Sequence, residues 1–274
     1  MKNNFLPYVL LLSISFLFLY LPVWRNLIST WSSDDDYSHG FFIVPLVCFI
    51  AWRKRGTLQQ TRIEPGSWGL GLIILSLVLY LLATTGEIIT VASISLVLVS
   101  AGVIWYLFGK YVLRELAFCF LLLLFMIPIP SQIYSTLTVP LQLLVSQLST
   151  MLARSMGVPI FREGNVIFLS DWTLQVVQAC SGLRSIMSLL TLSAVFGYLT
   201  LRSNLLRLLL LLSSIPAAIL VNIFRVSMMI FAYQYFSYDL TAGTTHTVFG
   251  LLIFFISLAL IASFKGVLSI WEKT

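Results

Sequence analysis

The chain has 274 residues, 59% of them hydrophobic and 9% charged, with a mean hydropathy of +0.99 and a formal net charge of +6. A soluble domain typically carries about 25% charged residues, so this chain has too little polar surface to dissolve and its core must sit in lipid. The positive excess comes with no basic cluster on a soluble fold, which argues against a nucleic-acid partner and makes the charge a signal of membrane topology.

Apolar runs near the ~20 residues needed to cross a bilayer fall at approximately 5–23, 38–52, 67–85, 88–108, 113–129, 180–200, 205–234 and 246–264. No period-two pattern suggests a barrel. The fold class expected is therefore all-α: one polytopic membrane domain over 1–274 with about eight transmembrane helices, each satisfying its own backbone. The first run begins after Lys2, is long for a signal peptide, and is followed by Arg25 rather than a small-residue cleavage site. It reads as a retained helix.

Charge sets the expected orientation. With the N-terminus in the cytoplasm, Lys2, Arg53, Lys54, Arg55, Arg62, Lys110, Arg114, Arg202, Arg207, Lys265 and Lys273 fall inside. Asp34, Asp35, Asp36, Glu87, Glu163, Asp171 and Asp239 fall outside, joined there by Arg25, Arg154 and Arg162. This positive-inside bias predicts a multi-pass protein of the cell inner (plasma) membrane with both termini cytoplasmic.

Residues 131–155 resist that scheme. Gln132, Gln142, Ser146, Gln147 and Ser149 interrupt the apolar residues and Pro140 breaks the middle. A span here would invert every later helix, so the segment is expected to lie at the outer interface or line a groove. Beyond Gly157 and Pro159, Val166, Ile167, Phe168 and 173–177 look β-like around the turn "SDW", predicting a small hairpin at the outer face.

The chemistry begins at "QACSGLRS", 178–185. Cys180 lies at the outer end of the sixth apolar run, in the first turn of its helix, followed by Ser181 and Gly182. A helix N-terminus and a nearby cation both favour thiolate, and Arg184, four residues on, shares the face. Cys48 and Cys119 sit in apolar runs without charged neighbours and read as small hydrophobes. His246 opens the last span and His39 opens the second, both at the outer face. For His39, anchoring or substrate contact is the favoured role. Arg225 lies inside a span, where a charge is by default functional. It falls about 27 Å past Arg207, just under the outer surface of a core about 30 Å thick. Asn222, one turn earlier, is positioned to orient it. A thiol, an imidazole and a guanidinium at one membrane surface suffice for acyl transfer. No CxxC, HExxH or neighbouring carboxylate suggests a metal, and no cofactor is expected.

Three blocks, "REGNVIFL…VVQACSGLRS", "NIFRV" and "HTVFGL", resemble those of the exosortase/archaeosortase family. They cover 157–252, and "DYSHGFFIVPLVCFIAWRKR" resembles the family's N-terminal block. Members are polytopic membrane transpeptidases with a Cys–Arg–His site. The resemblance implies Cys180 as nucleophile, Arg225 as oxyanion or substrate-carboxylate partner, and His246 as acid/base. It also implies substrate proteins ending in a short motif such as Pro-Glu-Pro, a membrane helix and a basic cluster, cut at the outer face and passed to an acceptor. Many members carry Glu two residues before the cysteine, whereas this chain has Gln178. A rival class is a transporter or flippase for a lipid-linked saccharide, but such proteins usually show polar residues mid-membrane in several helices and broken spans in matched halves.

Overall fold

The computed structural model describes residues 11, 14–176, 183–241 and 243–272. The chain forms two compact units, 1–130 and 131–274.

The first unit holds α1 (Leu21–Ser33), α2 (Gly40–Arg53), α3 (Arg55–Gln60), α4 (Ser67–Thr85), α5 (Ile89–Phe108), α6 (Lys110–Glu115) and α7 (Ala117–Phe125). Its tightest pairing is α4 against α5. A Cβ at Gly69 would collide with the Tyr106 backbone, and one at Gly102 would come within 2.9 Å of Ile73. Small residues let membrane helices approach this closely. Helix α5 ends at Gly109, whose φ of +93 suits glycine, and Glu64 N–H bonds the Phe108 carbonyl beside it.

After α7 comes "MIPIP", where the helix end leaves carbonyls unpaired and Pro128 and Pro130 bring no N–H. Four side chains fill that need. Trp31 Nε1 donates to Met126 O (3.0 Å), Tyr37 Oη to Ile129 O (3.4 Å) and Thr90 Oγ1 to Pro128 O (2.9 Å), while His39 Nε2 meets Phe125 O at 3.1 Å.

The second unit holds α8 (Ser131–Ser155), β1 (Phe161–Glu163), β2 (Val166–Phe168), β3 (Thr173–Gln175), α9 (Leu183–Thr200), α10 (Asn204–Phe236) and α11 (Gly243–Trp271). The strands form an antiparallel sheet ordered β1-β2-β3, with Ile167 opposite both Arg162 and Leu174. Ile167, Leu174 and Val176 turn inward against Val145 and Ala153 of α8 and Val226, Met229 and Ile230 of α10. Trp172, in the β2–β3 turn, stacks on Tyr233 at 4.5 Å. Helices α9, α10 and α11 pack against one another.

The expected eight spans are not all found. Among the described residues five helices are long and apolar enough to cross a membrane: α4, α5, α8, α10 and α11. Helix α2 and the described part of α9 are shorter apolar helices. The run at 113–129 is divided between α6 and α7 at Leu116, and most of 5–20 lies outside the described residues or outside a named helix. Helix α8 is one of the five, although the sequence argued against a span there. Pro140 is carried inside it, as neighbouring groups allow in membrane helices. Its Ser146 and Ser149 are fully buried, so that polar face turns into protein rather than lipid. The expected hairpin gains a third strand, β1.

Candidate active site

Helix α10 runs 33 residues, about 50 Å, and carries Asn222 and Arg225 one turn apart on one face. Both are buried, at 2% and 8% exposure. Burying a guanidinium is costly unless its donors find acceptors, and α11 supplies one. The turn into α11 is tied by Asp239, whose Oδ1 accepts the Thr241 N–H and hydroxyl (2.7 and 2.6 Å), and Gly243 follows with φ +60. His246 sits in the first turn of the helix. Its Nε2 lies 3.2 Å from Arg225 Nη2.

That contact fixes the imidazole's state. A guanidinium has only donors, so Nε2 must be the acceptor. The ring is therefore neutral here, with its proton on Nδ1 and its Nε2 lone pair facing the cation. Gly250, one turn further along α11, lies under the same guanidinium: a Cβ there would stand 3.5 Å from Nη2 and 3.9 Å from Cζ. Helix α11 thus offers Arg225 an imidazole at one position and a side-chain-free gap at i+4.

Arg184 lies in the first turn of α9, within electrostatic reach of His246. The sequence assigned it only to the thiol. Cys180, Ser181 and Gly182, with Gln178, fall outside the described residues. His39 belongs to the first unit, just before α2. Cys119 is buried, with Sγ 4.0 Å from Val47 O, whereas Cys48 is exposed on α2 rather than packed in a core.

A buried guanidinium and an imidazole thus meet between two helices of spanning length, in a chain whose several long apolar helices are those of a multi-pass membrane protein. The transmembrane exosortase family matches residues 31–263, and the chain belongs to that family. Membership supports a membrane transpeptidase role in general terms. No curated protein and no solved structure matches the chain significantly.

Gly250 escaped the sequence reading, although its i+4 spacing from His246 marks the same helix face. Asn165 escaped it too. It stands in the β1–β2 turn, where its carbonyl accepts the Val176 N–H (2.9 Å) and its Nδ2 donates to the Val176 carbonyl (3.0 Å).

Proposed function

We propose that this exosortase is a cysteine transpeptidase that cuts C-terminal sorting signals at the outer face of the inner (plasma) membrane. The observation that supports this best is the 3.2 Å contact between Arg225 and His246, since it holds together a cation from the C-terminal half of α10 and a base from the first turn of α11. Cys180 is the nucleophile. When Arg225 releases it, His246 Nε2 takes the thiol proton, and the thiolate attacks the scissile carbonyl. The carbonyl π pair moves onto oxygen, and Arg225 turns its donors from the imidazole to that oxyanion. Collapse expels the amine, which takes the proton from His246 and leaves a thioester on Cys180. An acceptor nucleophile then attacks the thioester and gives its proton to His246; collapse releases the acyl group on the acceptor and expels the Cys180 thiolate, which takes that proton from His246.

The substrate class is a protein bearing a short motif such as Pro-Glu-Pro, a membrane helix and a basic cluster. Within the second unit, Arg202, Arg207 and Lys265 lie toward the opposite ends of the helices from Arg225 and His246. The positive-inside bias then supports a catalytic end facing the exterior, with both termini cytoplasmic.

The test is substrate cleavage in cells. Cys180→Ala should abolish it at unchanged protein level, while Cys48→Ala and Cys119→Ala should leave it intact. Processing by the Cys180→Ala protein would reject the mechanism. In the Cys48→Ala/Cys119→Ala background a membrane-impermeant maleimide should label Cys180 from the outer side. Labelling only after lysis would reject the orientation.

A further inference from the structure

The polar residues that interrupt α8 have no part in the chemistry above, yet they are not scattered. Gln142, Ser146 and Ser149 follow i, i+4, i+7 spacing and so share one helix face. Together they reach two other pieces of the second unit. Ser149 Oγ donates to the Ile223 carbonyl of α10 at 3.2 Å, two residues before Arg225. Ser146 Oγ donates to the Gly164 carbonyl at 3.2 Å, in the β1–β2 turn. Gln142 Oε1 accepts from Asn165 Nδ2 at 3.3 Å in the same turn.

Asn165 carries the connection onward. It grips Val176 from both sides, accepting its N–H at 2.9 Å and donating to its carbonyl at 3.0 Å. Val176 is fully buried, and the chain reaches Cys180 four residues later. A hydrogen-bonded path therefore runs from the backbone beside Arg225, across one face of α8, through Asn165, to the strand end that leads to the cysteine.

We infer that Asn165, with the Gln142–Ser146–Ser149 face of α8, is a positioning device that holds the strand leading to Cys180 in register with Arg225. This rests on the reading of Cys180 as nucleophile. The four residues act through main chain at Val176, Gly164 and Ile223. Such a role explains why α8 keeps polar groups inside a helix of spanning length, where each would be costly without a partner.

The amide of Asn165 gives a sharp variant. Its Nδ2 faces two acceptors, the Val176 carbonyl and Gln142 Oε1. Asn165→Asp keeps the shape and replaces that donor with an oxygen. Gln142 can rotate its own NH2 toward the new carboxylate, but the Val176 carbonyl cannot, so the clamp on the strand is lost while the link to α8 survives.

The experiment uses the full chain in detergent or nanodiscs in the Cys48→Ala/Cys119→Ala background, with Cys180→Ala as control. Turnover and KM on a sorting-signal peptide, the thermal midpoint, and the pH dependence of Cys180 alkylation are read together. Asn165→Asp should lower kcat by about 10- to 100-fold, the scale expected of a misplaced reacting group, with KM changed far less. The alkylation midpoint should move to higher pH as the thiol leaves the cation. Ser149→Ala should act in the same direction and Ser149→Thr, which keeps the hydroxyl, should restore the parent profile. An unshifted alkylation profile with parent kcat in Asn165→Asp would overturn the inference. So would a loss of activity tracking only a fallen thermal midpoint, with the profile of the folded fraction unchanged. Activity in the Cys180→Ala control would instead overturn the nucleophile assignment, a distinct failure.

Discussion

The two units each place a cation against a partner, and the partners differ in kind. In the first, Lys54 Nζ meets the Glu115 carboxylate at 2.9 Å and also donates to the Glu115 carbonyl at 2.6 Å. In the second, Arg225 meets a neutral imidazole at 3.2 Å. A cation held by a carboxylate is neutralised in place and serves to join α2 to α6. A cation held by an imidazole keeps its charge, and in the proposed mechanism it exchanges that imidazole for the oxyanion of the substrate carbonyl. The histidines repeat the contrast. His39 is bound to a backbone carbonyl that α7 and its prolines leave open, whereas His246 has its basic nitrogen on the arginine. In the first unit these polar groups close the fold, and in the second Arg225 and His246 face each other instead.

The largest effect should come from changing the cation itself. Arg225→Lys keeps the charge but loses the planar fork of donors, and should lower peptide turnover by about 10²–10³-fold. Arg184→Lys should keep measurable turnover, because a charge near the thiol and near His246 is its whole contribution. Equal losses in both would erase the distinction drawn for Arg225. Next comes the gap beneath the guanidinium. A methyl at 3.5 Å is an ordinary contact, so Gly250→Ala should stay close to the parent. Gly250→Leu should push Arg225 off His246 and reduce kcat by about 10²-fold, read against an unchanged expression level. A fully active Gly250→Leu enzyme would show that the close approach has no catalytic use.

The first unit should answer differently. Lys54→Met removes a half-exposed pair and should lower stability by about 1 kcal/mol, seen as a fallen thermal midpoint with unaltered peptide turnover. A turnover loss beyond the unfolded fraction would blur the contrast between the units. The smallest effect belongs to Glu272, at the end of α11. Its Oε1 accepts the N–H groups of Arg202 and Ser203, both at 2.6 Å. The Ser203 bond first, then that of Arg202 and the charges of Arg202 and Arg207, hold the carboxyl below its ordinary pKa. The folded pKa is the lower one, so its contribution is present above the ordinary carboxylate pKa and fades as pH falls through the depressed value. Glu272→Gln should flatten the acid limb of the thermal-midpoint curve slightly and leave neutral pH little changed.

Long apolar runs made α4, α5, α10 and α11 legible, because a span is announced by length and composition alone. The β2 and β3 strands were legible from β-branched residues around "SDW". Although its length and mean composition qualify it as a helix able to cross a membrane, helix α8 was judged by the number of its polar residues. Their spacing, which puts Gln142, Ser146 and Ser149 on one face, is what decides whether lipid ever meets them. Strand β1 left little trace, since its pairing with β2 depends on the tight turn at Gly164, with φ +60. Arg225 and His246 stood out in the sequence, because a charge inside a span and a histidine at a span's mouth are unusual among apolar residues. Their contact did not, since it depends on how α10 and α11 pack. Gly250 and Asn165 were illegible as parts of a site: one contributes an absence of side chain, the other a grip on main chain.

The central claim, that Cys180 performs covalent acyl transfer with Arg225 and His246, is tested most directly by trapping the intermediate. Purified protein in the Cys48→Ala/Cys119→Ala background is mixed with sorting-signal peptide in the absence of acceptor, quenched in acid, and measured by intact mass. The account expects a substrate adduct confined to Cys180 that hydroxylamine releases as the hydroxamate, and that fails to accumulate in Arg225→Lys. Peptide cleavage without an adduct, or an adduct that persists when Cys180 is replaced by alanine, would contradict it.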